Sequence, residues 1–341
     1  MRKVRLGRTG RMVSEVGFGG IPIISLRMED AVSLVRYCFQ SGITFFDTAN
    51  MYLDSEQKIG TALEASREQA VIATKTMKRD AEGAAEHIER SLKNMKTARI
   101  DLYQIHQIAN EQVLEEVMAP RGAYEALSEA RAEGRIDFIG FSSHNAETAV
   151  KACRTGRFDT VQIPFNFIED HPAEELFRVA EQMDMGIIGM KPLGGGMLGR
   201  ADLCFRFLQQ YPSVLPIPGM RAPEDADEIV ALYRSPEPLR EADREAIEKI
   251  RADLGTRFCR RCEYCMPCDQ GVRIPMVLGF RGFTNRLPPA AAIALVMDPM
   301  KGVEACVECG ECIRKCPYEL PIPDLLKENL ALFREFVAKH G

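Results

Sequence analysis

No run of about 18 apolar residues occurs anywhere in this 341-residue chain, so its sequence offers no membrane-spanning helix. The stretch from Met1 to Gly20 is basic and glycine-rich but lacks the apolar segment of an export signal. The expectation is an unexported, cytoplasmic protein without a membrane partner. A surplus of positive charge is missing too. The net charge is -5, and lysines and arginines are scattered among Asp and Glu, which leaves no surface to neutralise phosphates and excludes nucleic acid as an expected partner. Finally, no glycine-rich dinucleotide fingerprint follows the first expected strand, which argues against a doubly wound open sheet.

What is present is enough apolar material, 46% of the residues, for one large core and a smaller satellite. Short β-rich runs alternate with amphipathic stretches over the first 255 residues, as parallel βα units require. Eight runs recur: Val16 to Gly20, Thr44 to Asp47, Ala70 to Lys75, Asp101 to His106, Ile136 to Ser142, Asp159 to Ile163, Gly186 to Met190 and Val214 to Ile217. Between them, Met28 to Ser41, Asp80 to Met95 and Pro172 to Met183 carry helix signals. Eight parallel strands over about 250 residues predict an α/β chain closed into a (β/α)8 TIM barrel. Composition shifts to cysteine, arginine and proline after Gly255, so the expected domains are 1–255 and 256–341.

Cysteines are concentrated in that second part. Cys306, Cys309, Cys312 and Cys316, followed by Pro317, have the spacing that wraps cubane clusters in bacterial ferredoxins. Cys259, Cys262, Cys265 and Cys268 form a partner run, one residue shorter before its last cysteine and with Asp269 in place of proline. In such pairs the last cysteine of each run serves the other cluster. The preferred assignment therefore groups Cys259, Cys262, Cys265 with Cys316, and Cys306, Cys309, Cys312 with Cys268; local four-cysteine clusters are the alternative. Zinc fits less well, because it takes two C-x2-C pairs with a long spacer per site. A small ferredoxin-like domain with two 4Fe–4S clusters is expected. The isolated Cys38, Cys153 and Cys204 sit in apolar helical contexts and are assigned no chemistry.

Functional side chains of such barrels gather at the carboxyl ends of the strands. Asp47 closes the second expected strand, Tyr52 lies just beyond it, Lys75 ends the third and His106 the fourth. Each alone has a plain reading, as cap, core aromatic, solvated cation or satisfied polar group. Together they suit carbonyl reduction, in which a proton must reach a developing alkoxide. Tyr52 delivers it, a neighbouring Lys75 makes the phenol a better acid, Asp47 keeps Lys75 placed and charged, and His106 donates a hydrogen bond to the substrate oxygen.

Through LGRTG (Leu6 to Gly10), GFGG (Gly17 to Gly20), FFDTANMYLDSE (Phe45 to Glu56), IATK (Ile72 to Lys75) and DLYQIH (Asp101 to His106), the sequence resembles the aldo-keto reductases over residues 1 to 255. The cysteine part makes the whole chain similar to the ferredoxin-type branch of that family. The resemblance places the family's catalytic tetrad on Asp47, Tyr52, Lys75 and His106 without substitution. It implies that Ser142, Ser143 and Gln162 hold the nicotinamide amide, with Met190 where an aromatic ring usually stacks. Lys191 and the glycines Gly194, Gly195 and Gly196 suit a pyrophosphate loop. Gly219 stands where lysine is usual and Asp225 about where arginine clamps a 2'-phosphate, which favours NADH over NADPH, with Arg221 the one nearby cation able to swing toward a phosphate.

Hydride moves two electrons and a cubane cluster one, so the two parts do not exchange directly. The leading reading is an NAD(P)H-linked reductase of a small carbonyl, or an alcohol dehydrogenase, whose clusters are structural or serve a redox partner protein. A flavin-binding electron-transfer enzyme and a non-enzymatic redox sensor are the rivals. Asn110, Phe165, Asn166 and Phe167 are candidate pocket residues, the two phenylalanines being equally suited to packing. The segment from Val277 to Lys301, with Pro288 and Pro289 before an alanine-rich helix, reads as a linker that separates the cysteine runs and folds back over the barrel mouth. The closing helix, Asp324 to Lys339, places Leu326, Leu330, Phe333 and Val337 on one face and is expected to pack its domain.

Overall fold

The computed structural model describes residues 1–285 and 287–341. Its chain divides into two compact units, Met1–Leu193 with Arg200–Pro238, and Gly194–Gly199 with Leu239–Gly341. The first unit begins with an antiparallel hairpin of β1 (Lys3–Arg5) and β2 (Met12–Ser14). Eight parallel strands follow in sequence order: β3 (Phe18–Gly19), β4 (Phe45–Asp47), β5 (Val71–Thr76), β6 (Ile100–Ile105), β7 (Ile136–Ser142), β8 (Thr160–Pro164), β9 (Gly186–Met190) and β10 (Val214–Ile217). The expected runs match these within two residues at each end. Strands β5 and β6 are buried along their whole length, as parallel strands covered by helices must be.

Glycine closes the ring. The amides of Gly17 and Gly19 donate to the carbonyls of Pro216 (2.9 Å) and Pro218 (2.7 Å), and Gly19 bridges Gly219 in parallel. A Cβ on Gly219 would lie 2.4 Å from Pro22 Cγ, and one on Gly19 2.8 Å from the Ile217 carbonyl oxygen. Only glycine permits that approach.

The initial hairpin had no counterpart among the sequence expectations. Its turn, LGRTG, and strand β2 bury Leu6 and Val13 against Phe45, Val71, Leu102, Ile188 and Leu215, and so fill one end of the barrel interior. Among the helices, Met28–Gln40 and Ala81–Asn94 fall where expected. The latter starts at Asp80, whose carboxylate accepts from the Gly83 amide at 2.8 Å, a conventional N-cap. The helix expected from Pro172 is broken into a 3-10 turn, His171–Ala173, and a helix, Leu176–Gln182, because Glu175 departs to φ -120°.

The second unit contains helices Glu241–Gly255, Ile274–Leu278, Phe280–Thr284, Pro289–Lys301, Glu311–Arg314 and Ile322–His340, and no strand among its described residues. The ferredoxin-like expectation is thus not met by its secondary structure, which is helical. Nor is 277–301 a linker: Val277, Phe280, Phe283, Val296 and Met300 are core residues of this unit, packed with Leu326 and Phe333 of the closing helix. Phe280 meets the Phe333 ring edge-on at 5.5 Å. The helix Glu241–Gly255 groups with this unit, so the division falls at Pro238 rather than near Thr256. Composition changes where the cysteines begin; packing changes earlier.

Candidate active site and cysteine pockets

Parallel pairing of β4 with β5 sets Asp47 opposite Ala73, and Lys75 lies two residues further along β5. The Lys75 ammonium donates to both Asp47 oxygens, at 2.6 and 2.7 Å, and to the Thr48 carbonyl at 2.7 Å. These match the three N–H groups of an ammonium. Both side chains are buried. Burial pushes the Asp47 carboxyl up and the Lys75 ammonium down, and each is opposed by attraction to the other. The bidentate contact keeps the pair ionised.

Two carboxamides extend the pair across the barrel. Gln104 of β6 donates to Gln162 of β8 at 2.8 Å and reaches Asp47 at 3.4 Å, while Gln162 reaches Asp47 at 3.5 Å. Residues from alternate strands β4, β6 and β8 thus form one polar layer, the usual stacking of a barrel interior. The sequence reading passed over Gln104. Its signal was a carboxamide between Tyr103 and Ile105 in a strand expected to be covered by helices, where a buried polar group needs partners.

Tyr52 and His106 sit beside the pair. Their rings meet edge to face at 5.8 Å, and Lys75 Nζ lies 5.4 Å from the Tyr52 ring centre. His106 is buried, and burial, followed by the Lys75 and Arg79 cations, holds its imidazole well below the usual range. It is a neutral ring and hence a hydrogen-bond donor without being an acid. Beneath Tyr52 the loop is pinned: Glu56 accepts from Thr74 Oγ1 (2.7 Å) and Asn94 (2.9 Å), and Lys58 donates to the Ile23 and Leu26 carbonyls (3.0 and 2.8 Å).

The remaining sequence candidates are placed as follows. Ser142 Oγ accepts from the Gln107 amide (2.9 Å), and Ser143 Oγ donates to the Ile108 carbonyl (2.7 Å); both serines are fully buried. Met190 ends β9 half-buried, and Lys191 follows in the left-handed region, φ 55°. Gly194, Gly195 and Gly196 have φ of 57°, 69° and 90°, a run of backbone that side-chain-bearing residues rarely adopt. Gly219 has no room for the lysine usual there. Asp225 accepts from the Arg221 and Ala222 amides (2.7 and 3.1 Å), so one of its oxygens caps the helix Pro223–Arg234, while Arg221 is exposed.

The pocket candidates are largely structural. Asn110 caps the helix Glu111–Met118 by accepting from the Val113 amide (3.0 Å). Asn166 is buried and accepts from the Ile168 and Glu169 amides (2.8 and 3.1 Å). Phe165 packs its buried ring against Phe177 (4.6 Å) and Tyr211 (4.8 Å), and Phe167 against Phe207 (6.3 Å). The packing reading of both phenylalanines is the one realised.

In the second unit the two cysteine runs come together. One cavity is lined by Cys259, Cys262, Cys265 and Cys316; another by Cys265, Cys268, Cys306, Cys309 and Cys312. Burial first, then the neighbouring Cys259 and Cys316, pushes the Cys262 thiol up to about 11. Among the described residues, no three His, Cys, Asp or Glu side chains are grouped closely enough for a single metal ion. Arg260 donates to the Gly255 and Phe258 carbonyls (2.9 and 3.1 Å) and lies 3.9 Å over the Tyr318 ring. Arg257 and Arg314 pair with Glu328 and Glu311. Burial pushes Cys38, Cys153 and Cys204 up to about 12, as befits unreactive thiols.

No helix among the described residues is long and apolar enough to cross a membrane. Residues 15–203 match the pattern of the Aldo/keto reductase family. A soybean (Glycine max) protein named "Probable aldo-keto reductase 1" is 32% identical over 220 residues, covering 58% of this chain and 61% of its own length. The chain therefore spans less than two thirds of that relative. Among solved structures, an aldo-keto reductase from Bacillus halodurans in its holo form superposes with a TM-score of 0.63 at 22% identity, over 73% of this chain and 96% of that one. The aldo-keto reductase of Klebsiella pneumoniae in complex with NADPH gives 0.63 at 21%, over 73% and 94%. At these identities the structural likeness speaks for the fold.

Proposed function

This chain belongs to the aldo/keto reductase family, and from that premise we propose that it is an oxidoreductase, an NAD(P)H-linked reductase of small carbonyls or in reverse an alcohol dehydrogenase, whose second unit holds two 4Fe–4S clusters. The observation that carries the reductase reading is the buried Lys75–Asp47 pair set against Tyr52 and His106. A bound nicotinamide supplies the hydride. Tyr52 delivers the proton to the substrate oxygen, and the fixed charge of Lys75 stabilises the phenolate left behind. Asp47 holds Lys75 charged in a dry site. His106, neutral, donates a hydrogen bond that orients the carbonyl oxygen without competing as an acid.

The residues present suit a nicotinamide. Gln104 Oε1 is buried without a partner among the described residues, an acceptor that a carboxamide satisfies. Ser142, Ser143, Gln162 and Met190 would hold the ring end, and Lys191 the pyrophosphate. We favour NADH. Position 219 has no room for a cation, and Asp225 puts a carboxylate in the turn where a 2'-phosphate would sit. The Klebsiella neighbour, which binds NADPH, is the contrary precedent.

The thiol-lined cavities support the cluster reading. Each draws on both runs, so that Cys316 joins Cys259, Cys262 and Cys265, and Cys268 joins Cys306, Cys309 and Cys312. When bound, the clusters carry single electrons, to a redox partner protein, or serve as structural staples. The test is anaerobic purification, iron, sulfide and flavin analysis, and NADH and NADPH oxidation with a panel of aldehydes and ketones. About eight irons, no flavin, and turnover lowered at least ~100-fold in Tyr52→Phe support the proposal. Stoichiometric flavin replaces it with the electron-transfer enzyme, and zinc without sulfide removes the clusters.

A further inference from the structure

Of the four side chains proposed for the chemistry, His106 has the least support of its own. Its Nδ1 is buried without a partner among the described residues, so no hydrogen bond there sets the ring's direction or its tautomer. What holds it is the main chain. The His106 amide donates to the Thr76 carbonyl (2.8 Å), and the next two amides, of Gln107 and Ile108, donate to Ser142 Oγ (2.9 Å) and the Ser142 carbonyl (2.8 Å). Gln107 is left-handed, φ 56°, an uncommon conformation for a residue with a side chain. The His106 and Gln107 carbonyls then accept, at 2.7 and 2.8 Å, from the two terminal nitrogens of one guanidinium, that of half-buried Arg79.

We propose that Arg79, in the loop after β5, is the positioning residue for His106: its fork clamps the two carbonyls that follow β6, so fixing the imidazole beside Tyr52. The inference rests on the reductase reading for its effect on rate, but not for its effect on the ring. A guanidinium is suited to this task because its planar donors engage two acceptors at once, which an ammonium cannot do with the same rigidity. The same cation also bears on the ring's charge. Among the described residues, the charged and titratable groups facing His106 are Arg79 and Lys75 after and on β5, and Tyr52 from the loop after β4. Two of the three are cations, and both disfavour a third positive charge.

The test pairs Arg79→Met, which removes fork and charge, with Arg79→Lys, which keeps the charge and loses the fork. Imidazole titration by NMR is read on both variants and the parent chain, beside kcat and KM across pH. Arg79→Met should raise the His106 titration midpoint and move the acid limb of kcat/KM to higher pH, with kcat lowered about 10–100-fold. Arg79→Lys should leave the midpoint near that of the parent and still lose most of kcat at little change in KM. An unshifted midpoint in Arg79→Met, or undiminished kcat in Arg79→Lys, overturns the proposal. Should Arg79→Met fail to fold, the lysine variant decides alone. A parent chain that reduces no carbonyl refutes the reductase reading and leaves the NMR arm intact, so the two failures are told apart.

Discussion

Replacing Lys75 by methionine keeps the side chain's length and deletes its charge. Asp47, only 3% exposed, would then keep just the long contacts with Gln104 (3.4 Å) and Gln162 (3.5 Å). Stranding one member of a buried pair costs about 3–5 kcal/mol, and for a unit of this size each kcal/mol moves the melting temperature by about 2–4 °C. The barrel transition of Lys75→Met should therefore fall by roughly 6–20 °C at neutral pH. The loss also has a sign in pH. Without its cation, the buried carboxyl titrates well above the ~3.9 of an unfolded Asp, so the folded variant binds the proton more tightly. That stabilisation is complete below the unfolded value and is lost as pH rises through the folded one. The penalty relative to the parent should thus be larger at pH 7.5 than at pH 5. Asp47→Asn combined with Lys75→Met removes the stranded charge and should recover most of the loss. Thermal melts must be followed by circular dichroism, since the chain has no tryptophan. A penalty equal at both pH values, or a double variant no more stable than Lys75→Met, would refute the reasoning.

Cys316→Ser and Cys268→Ser should each lower iron and sulfide from about eight to about four per chain, and the signals they spare in electron paramagnetic resonance should be complementary; identical residual spectra would speak for local four-cysteine sites. Gly219→Lys, whose Cβ would lie 2.4 Å from Pro22, should destabilise the barrel by about 1–3 kcal/mol without raising the NADPH to NADH ratio of kcat/KM. A gain in NADPH preference at unchanged melting temperature would show that the backbone there yields.

The barrel was legible because its strands are short apolar runs with polar residues at their carboxyl ends, and Asp47, Lys75 and His106 stand there in the structure as in the sequence. Periodicity did not reveal the hairpin of β1 and β2, since three-residue strands around Leu6 and Val13 carry no repeat. Gln104 was hidden by its apolar neighbours, and Arg79 by looking like any exposed cation of a loop; both act through partners distant in sequence, His106 and Gln162 among them. The second unit misled in another way. The segment around Pro288 and Pro289 reads as a linker leading into a helix; the helix, Pro289–Lys301, is there with proline in its first turn, but it places Val296 and Met300 in the core. Asp225 reads as a ribose ligand by position and spends an oxygen on the Arg221 and Ala222 amides just before its own helix.

Because each thiol-lined cavity borrows a donor from the other run, the second unit cannot be halved. Cys268 and Cys316 are reciprocal hostages: a chain cut or melted between the runs forfeits a wall of both cavities at once. Their assembly must also wait until the helices between Ile274 and Lys301 have brought distant segments together, an entropic closure that local sites would not require. Filling either cavity therefore reports that those helices have already folded.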